Sequence, residues 1–217
     1  VIFYSFGSYM KVLLINGSPR AEGNTFTALS EVARQLSAQG IDSDIVWVGN
    51  KPFRGCIGCG GCRQKGENRC VFDDDVCNDI IARMAACDAV IVGSPVYYGQ
   101  PSGQMLCVQQ RMLFAGGAYF RGKPAAAICV CRRGGCTAAF QALQMPFQML
   151  NMPIVTSQYW NIAFGREPGQ VAQDVEGMQT LRTLANNMAW LLKKMHDVPT
   201  TPAPEWEQPW TPMNFIR

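Results

Sequence analysis

The chain has 217 residues, 48% of them hydrophobic and 16% charged; this suits one domain with a full core, is short for two, and excludes a disordered chain. Its formal net charge of +3 comes from 19 basic and 16 acidic residues. The basic residues are scattered rather than set in a stripe, which excludes nucleic acid as a partner, and no apolar run approaches the ~18–20 residues that span a bilayer.

Residues 1–9 lack the basic start and the small-residue cleavage site of a secretory signal. Met10-Lys11 stands directly before Val12-Leu13-Leu14-Ile15 and reads as a natural start, so residues 1–9 are expected to be an extension outside the fold. From there short apolar runs alternate with longer helical patterns, which predicts a parallel sheet covered on both faces. The strands are expected at residues 12–16, 44–48, 89–93, 125–131 and 154–157. A first helix over 24–38 places Phe26, Leu29, Val32, Ala33 and Leu36 on one face and stops at Gly40. A second, over 75–86, follows Asp73-Asp74-Asp75, charges that suit a helix N-terminus. Helices over 103–114 and 137–150 come next, Pro146 marking a kink or an early end of the latter. The last helix, over 171–195, carries Val175, Met178, Leu181, Leu184, Met188 and Leu191 at helical spacing. His196, the only histidine, is expected to complement the dipole at its C-terminus. The domain therefore spans 10–197, and the Pro- and Trp-rich residues 198–217 form a tail that packs on the body or on a neighbouring subunit.

In a doubly wound sheet, ligands bind outside the carboxyl ends of the strands. Three loops leave those ends, at 17–25, 94–101 and 132–137. The first joins strand to helix, where free backbone amides attract phosphate. Ser18, Asn24 and Thr25 add donors, Arg20 adds a guanidinium fork, and Gly17 and Gly23 allow close approach. No Gly-Lys-Ser/Thr follows, and G-x-G-x-x-G is absent from this turn, so a monophosphate suits it better than a triphosphate or pyrophosphate. Its bland reading is a tight turn capped by Asn24 or Thr25. The second loop, Ser94-Pro95-Val96-Tyr97-Tyr98-Gly99-Gln100-Pro101, offers stiff backbone and flat aromatic surfaces for a ring system; otherwise its tyrosines face the core. The third, Arg132-Arg133-Gly134-Gly135-Cys136-Thr137, can wrap a ligand.

Leu14-Ile15-Asn16-Gly17-Ser18-Pro19-Arg20 with Gly23-Asn24-Thr25, and Gly93-Ser94-Pro95-Val96-Tyr97-Tyr98-Gly99, resemble the NADPH-dependent FMN reductase and iron-sulfur flavoprotein branch of the flavodoxin-like superfamily. The likeness extends over residues 10–194. It implies an α/β flavodoxin-like three-layer sandwich, a five-stranded parallel sheet of order 2-1-3-4-5, non-covalent FMN, and a homodimer or homotetramer. By position, Ser18, Arg20, Gly23, Asn24 and Thr25 would hold the FMN phosphate. Pro95, Val96, Tyr97, Tyr98 and Gly99 would line the isoalloxazine, and Arg133, Gly134 and Gly135 would close its other edge.

Four cysteines stand as Cys56-x2-Cys59-x2-Cys62-x7-Cys70 among several glycines. Soft thiolates at this spacing suit an iron-sulfur cluster or zinc; a reversible dithiol pair and vacant thiols are the other readings. The resemblance implies a [4Fe-4S] cluster. The remaining Cys77, Cys87, Cys107, Cys129, Cys131 and Cys136 are dispersed, and most of them are expected as small core-filling thiols in a reducing cytoplasm, without a disulfide framework.

The expected activity is transfer of hydride from NAD(P)H to FMN, then of electrons to a quinone, an azo or nitro compound, a metal ion or a protein. The cofactor carries that chemistry, so no catalytic side chain is named. With a cluster, the chain would instead carry electrons singly to a partner such as ferredoxin. A structural zinc module on an unrelated sheet is the third class, and it leaves the phosphate and tyrosine loops without a shared explanation.

Overall fold

Every side chain of Val12-Leu13-Leu14-Ile15 is fully buried, because both faces of the strand they form are covered. A computed structural model describes residues 10–197 of the chain, and the expected extension and tail lie outside those residues. The elements in order are β1 (Lys11–Asn16), α1 (Asn24–Ala38), β2 (Asp42–Trp47), α2 (Gly61–Lys65), α3 (Cys77–Ala85), β3 (Ala89–Tyr97), β4 (Gln100–Pro101), α4 (Gly103–Ala115), α5 (Gly117–Phe120), β5 (Ala125–Cys131), α6 (Cys136–Gln148), β6 (Ile162–Phe164) and α7 (Val175–Asp197), with a 3-10 turn at Gln170–Gln173 before α7.

The sheet runs β2-β1-β3-β5-β6, all parallel, which is the expected 2-1-3-4-5 order of five parallel strands. β4 is a two-residue return that pairs antiparallel with the end of β3, Val96 opposite Pro101 and Tyr97 opposite Gln100. Side chains alternate between two cores. Leu13, Ile15, Val90 and Val92 meet Ile80, Met84, Met105, Val108, Leu143 and Phe147 of α3, α4 and α6. Val12, Leu14, Ile91 and Ile128 meet Leu29, Val32, Leu36, Leu181, Leu184 and Met188 of α1 and α7. The result is the flavodoxin-like three-layer sandwich. Among the described residues no helix is long and apolar enough to cross a membrane.

Four local expectations need correction. The fifth strand is not 154–157: Ile154 makes only an isolated bridge with Ala125, and the strand proper is Ile162–Phe164, beside Cys129 to Cys131. Between them the chain bulges away from β5. The bulge is held by Ser157 Oγ on Asn161 Oδ1 at 2.7 Å, while Asn161 Nδ2 donates to Ala127 O at 3.1 Å. Helix α6 contains Pro146 and ends two residues after it, at Gln148 rather than at 150. The final helix starts at Val175, and that residue is 68% exposed rather than core-facing; its buried stripe begins with Gly177 and Met178. Finally, Cys131 and Cys136 form a disulfide across the turn from β5 to α6, with Cα atoms 6.4 Å apart. Gly135 adopts φ +85°, which folds strand end and helix start side by side, so this pair is not two core-filling thiols.

Candidate functional site: three loops and a cysteine pocket

The carboxyl ends of β1, β3 and β5 bring the three loops onto one rim. The Gly17 amide donates to Gly93 O at 2.8 Å, and Ser102 Oγ donates to Gly17 O. Ser102 N in turn donates to Ser94 Oγ at 2.9 Å, and its hydroxyl caps α4 by accepting from Met105 N at 3.2 Å. One buried serine thus ties the first loop to the second. The third loop presses on the second: a Cβ on Gly135 would lie 2.8 Å from Gly99 Cα and 3.1 Å from Val96 Cγ1.

Within the first loop, Asn16 is fully buried and organises the turn. Its Nδ2 donates to Ala21 O at 2.9 Å and its Oδ1 accepts from Ser18 N at 3.1 Å. Ser18 is 5% exposed, and its Oγ accepts from Arg20 N at 3.1 Å, which leaves the hydroxyl proton to donate. Trp47 Nε1 donates to Ser18 O at 2.8 Å, joining the end of β2 to the same rim. The N-cap of α1 is Gly23, with no side-chain cap, so neither Asn24 nor Thr25 closes the helix and its first-turn amides stay open to an anion. Arg20 is exposed beside them and Thr25 is buried. Asn24 has another task as well, its Oδ1 accepting from Val171 N at 3.2 Å, which leaves only its amide NH2 for a ligand.

In the second loop Pro95, Val96 and Gly99 are half-buried, while Tyr97 and Tyr98 are exposed, Tyr98 fully. The core-facing reading of the tyrosines is therefore wrong, and Tyr98 has a positive φ of +50° that lifts its ring off the body. Arg133 and Gly134 are exposed and, with Gly135, border a cleft of about 310 Å³ closed opposite by Tyr159, Trp160, Asp174 and Thr180. Tyr159 and Trp160, with ring centroids 5.1 Å apart, were not found from sequence; exposed adjacent aromatics just before the edge strand were the available signal.

The cysteine loop leaves the carboxyl end of β2. Cys56 and Cys59 are exposed, Cys62 and Cys70 half-buried, and all four border one pocket together with Ile57, Phe72, Arg111 and Phe114. Gly58, Gly60 and Gly66 have φ of +66°, +69° and +66°, a left-handed sequence that turns the backbone tightly around the thiols. Among the described residues no three His, Cys, Asp or Glu side chains are grouped as a single ion needs. Cys70 is held from behind by Asn78, whose Oδ1 accepts from Cys70 N at 2.8 Å and whose Nδ2 donates to Cys70 O at 3.1 Å. Asp75, expected to serve a helix dipole, accepts from Cys77 N at 3.0 Å through Oδ1 and pairs with buried Arg111 through Oδ2. Burial pushes the Cys77 and Cys129 thiols up to about 12, so both are inert core groups as expected.

Fold and rim together define a flavodoxin-like flavoprotein. The profile of the NADPH-dependent FMN reductase family matches residues 10–167, and the chain belongs to that family of FMN-dependent oxidoreductases. It is 34% identical over 193 residues to an iron-sulfur flavoprotein of Methanocaldococcus jannaschii, covering 85% of this chain and 98% of that one. A Methanosarcina thermophila iron-sulfur flavoprotein is 30% identical over 189 residues, covering 85% and 96%. Among solved structures, RosB with a bound 8-demethyl-8-formylriboflavin-5'-phosphate intermediate superposes with a TM-score of 0.64 at 12% identity, covering 96% and 95%. A flavodoxin-like WrbA-type protein of Agrobacterium tumefaciens gives 0.60 at 15%, covering 85% and 98%. These two bear on the fold alone.

Proposed function

We propose that this chain is an iron-sulfur flavoprotein that holds FMN on the three-loop rim and a [4Fe-4S] cluster in the cysteine pocket, and that it carries electrons to a one-electron partner such as a ferredoxin-like protein. The carrying observation is that Cys56, Cys59, Cys62 and Cys70 border one pocket. Four soft thiolates around one pocket suit an iron-sulfur cluster, and the curated relatives bear the matching name.

Bound FMN supplies exchange between two-electron and one-electron chemistry. The chain's own part is to bind and orient it. The open amides of α1, the Ser18 hydroxyl and Arg20 receive the phosphate. Gly23, Asn24 and Thr25 shape that turn, and Pro95 to Gly99 with Arg133, Gly134 and Gly135 frame the ring. The glycine at 135 fits this role, because a side chain there would fill the space against Gly99 and Val96. No side chain is assigned a proton-transfer step.

A second reading, an NAD(P)H-dependent reductase of small acceptors such as quinones, azo or nitro compounds or metal ions, is favoured by the description of the matching family. Both readings place the protein in a reducing cytoplasm, in keeping with eight free cysteines. A homodimer or homotetramer is supported by an apolar groove of about 1090 Å³ between α4, α5 and α6, beside exposed Phe114 and Met149. The deciding experiment is anaerobic purification with iron and sulfide analysis, then reduction in the visible. The proposal expects iron, sulfide and FMN in each chain and bleaching by a reduced ferredoxin. Iron-free yellow protein bleached by NAD(P)H alone would replace it with the second reading.

A further inference from the structure

Arg111 is, among the described residues, the only charged side chain in the core, at 1% exposure. It sits on α4 one turn after Val108 and directly before Met112, both fully buried. An apolar residue would pack there without the cost of desolvating a guanidinium, so its retention calls for a use. Its hydrogen-bond partners lie in the cysteine loop and its exit. Nε donates to Cys70 Sγ at 3.3 Å, Nη1 to Arg54 O at 3.3 Å and Nη2 to Phe72 O at 3.2 Å. Nη1 also pairs with Asp75, and the rings of Phe53 and Phe72 lie 5.3 and 5.4 Å from the guanidinium carbon. The planar fork thus grips the loop both before Cys56 and after Cys70, and puts a positive charge against one sulfur of the pocket.

We propose that Arg111 is the positioning residue of the cysteine pocket: it fixes Cys70 within the set of four and raises the reduction potential of the group they hold. The inference rests on the cluster reading above. Reduction adds one negative charge to a cluster, and a guanidinium hydrogen-bonded to a ligand sulfur in a water-poor setting favours that state. Asp75 acts with the opposite sign, since its carboxylate offsets part of the same charge. A residue that merely held the loop together would not produce shifts of opposite sign.

The test compares the reconstituted wild type with Arg111→Gln, Asp75→Asn and Arg111→Lys, reading folding by circular dichroism, iron per chain, and the cluster midpoint by redox titration. Arg111→Gln is expected to make the cluster about tenfold harder to reduce, a midpoint lower by ~59 mV for one electron. Asp75→Asn should move the midpoint upward. No shift in either, or shifts in the same direction, overturns the charge role. Arg111→Lys keeps the charge but not the planar fork, so it should lose iron to a ferrous chelator about threefold faster or more; loss at the wild-type rate overturns the positioning role. Where the Gln or the Asn variant does not fold, the other decides the charge role and the Lys variant decides the positioning role. A wild type that takes up no iron and sulfide sinks the cluster reading and this inference with it, whereas loaded wild type with unchanged variants sinks the inference alone.

Discussion

Gly135 is where a single Cβ separates a closed rim from an open one. Its φ of +85° and the 2.8 Å approach to Gly99 Cα leave no place for a side chain. Gly135→Ala should cost ~1–3 kcal/mol of strain, relieved by displacing the third loop, with FMN affinity falling about tenfold or more. Chemical denaturation and a flavin fluorescence titration check this; unchanged affinity would remove the third loop from the flavin site. The glycine was legible because a Gly-Gly pair at a strand end announces such a turn. Asn16, Ser102, Asn78 and Arg111 were not. Ser102 and Arg111 matter through bonds to residues far along the chain, Gly17 and Cys70, and Asn16 and Asn78 through side-chain bonds to the backbone of their own turns; residue type alone carries no sign of such pairings.

Elements with strong internal periodicity were readable almost to the residue, and α1 and β5 have the expected limits. The edge strand was not. Residues 154–157 and 162–164 are both short runs that open on isoleucine, and Asn161 bonding to Ala127 in β5 holds the second against the sheet. The packing of α7 on α1 carries an acid-sensitive pair of bonds. Glu31 on α1 accepts from Arg34 at 2.8 Å and from Arg182 of α7 at 2.8 Å, and its side chain is only 13% exposed. The Arg34 hydrogen bond, joined by Arg182 and opposed by burial, holds its carboxyl down from 4.5 to about 2. A depressed carboxylate stabilises the fold above its unfolded value, and that contribution is lost as pH falls from about 4.5 through about 2. Glu31→Gln should therefore cost ~1 kcal/mol at neutral pH, solvent screening keeping it small, and should flatten the acid dependence in that window. Urea midpoints at neutral pH and near pH 3 check it; parallel losses in both proteins would contradict the assignment.

At the scale of the whole molecule, alternation of apolar strands and helices was enough to specify a doubly wound parallel sheet covered on both faces, while its 2-1-3-4-5 strand order was implied by the family resemblance of the strand-end motifs. The location of the rim followed from that topology. What remained hidden was the joining of the parts: Trp47 linking β2 to the phosphate turn, Asn24 spent partly on the 3-10 turn, and the disulfide closing the third loop. On the function proposed above, this rim takes FMN by its phosphate. Titrating flavin-free protein with FMN and with riboflavin tests it most directly. The claim predicts one FMN per chain, bound about a hundredfold more tightly than riboflavin, since the phosphate adds charge-assisted hydrogen bonds to the α1 amides and Arg20. Equal affinity for the two flavins, or no binding of either, would contradict it.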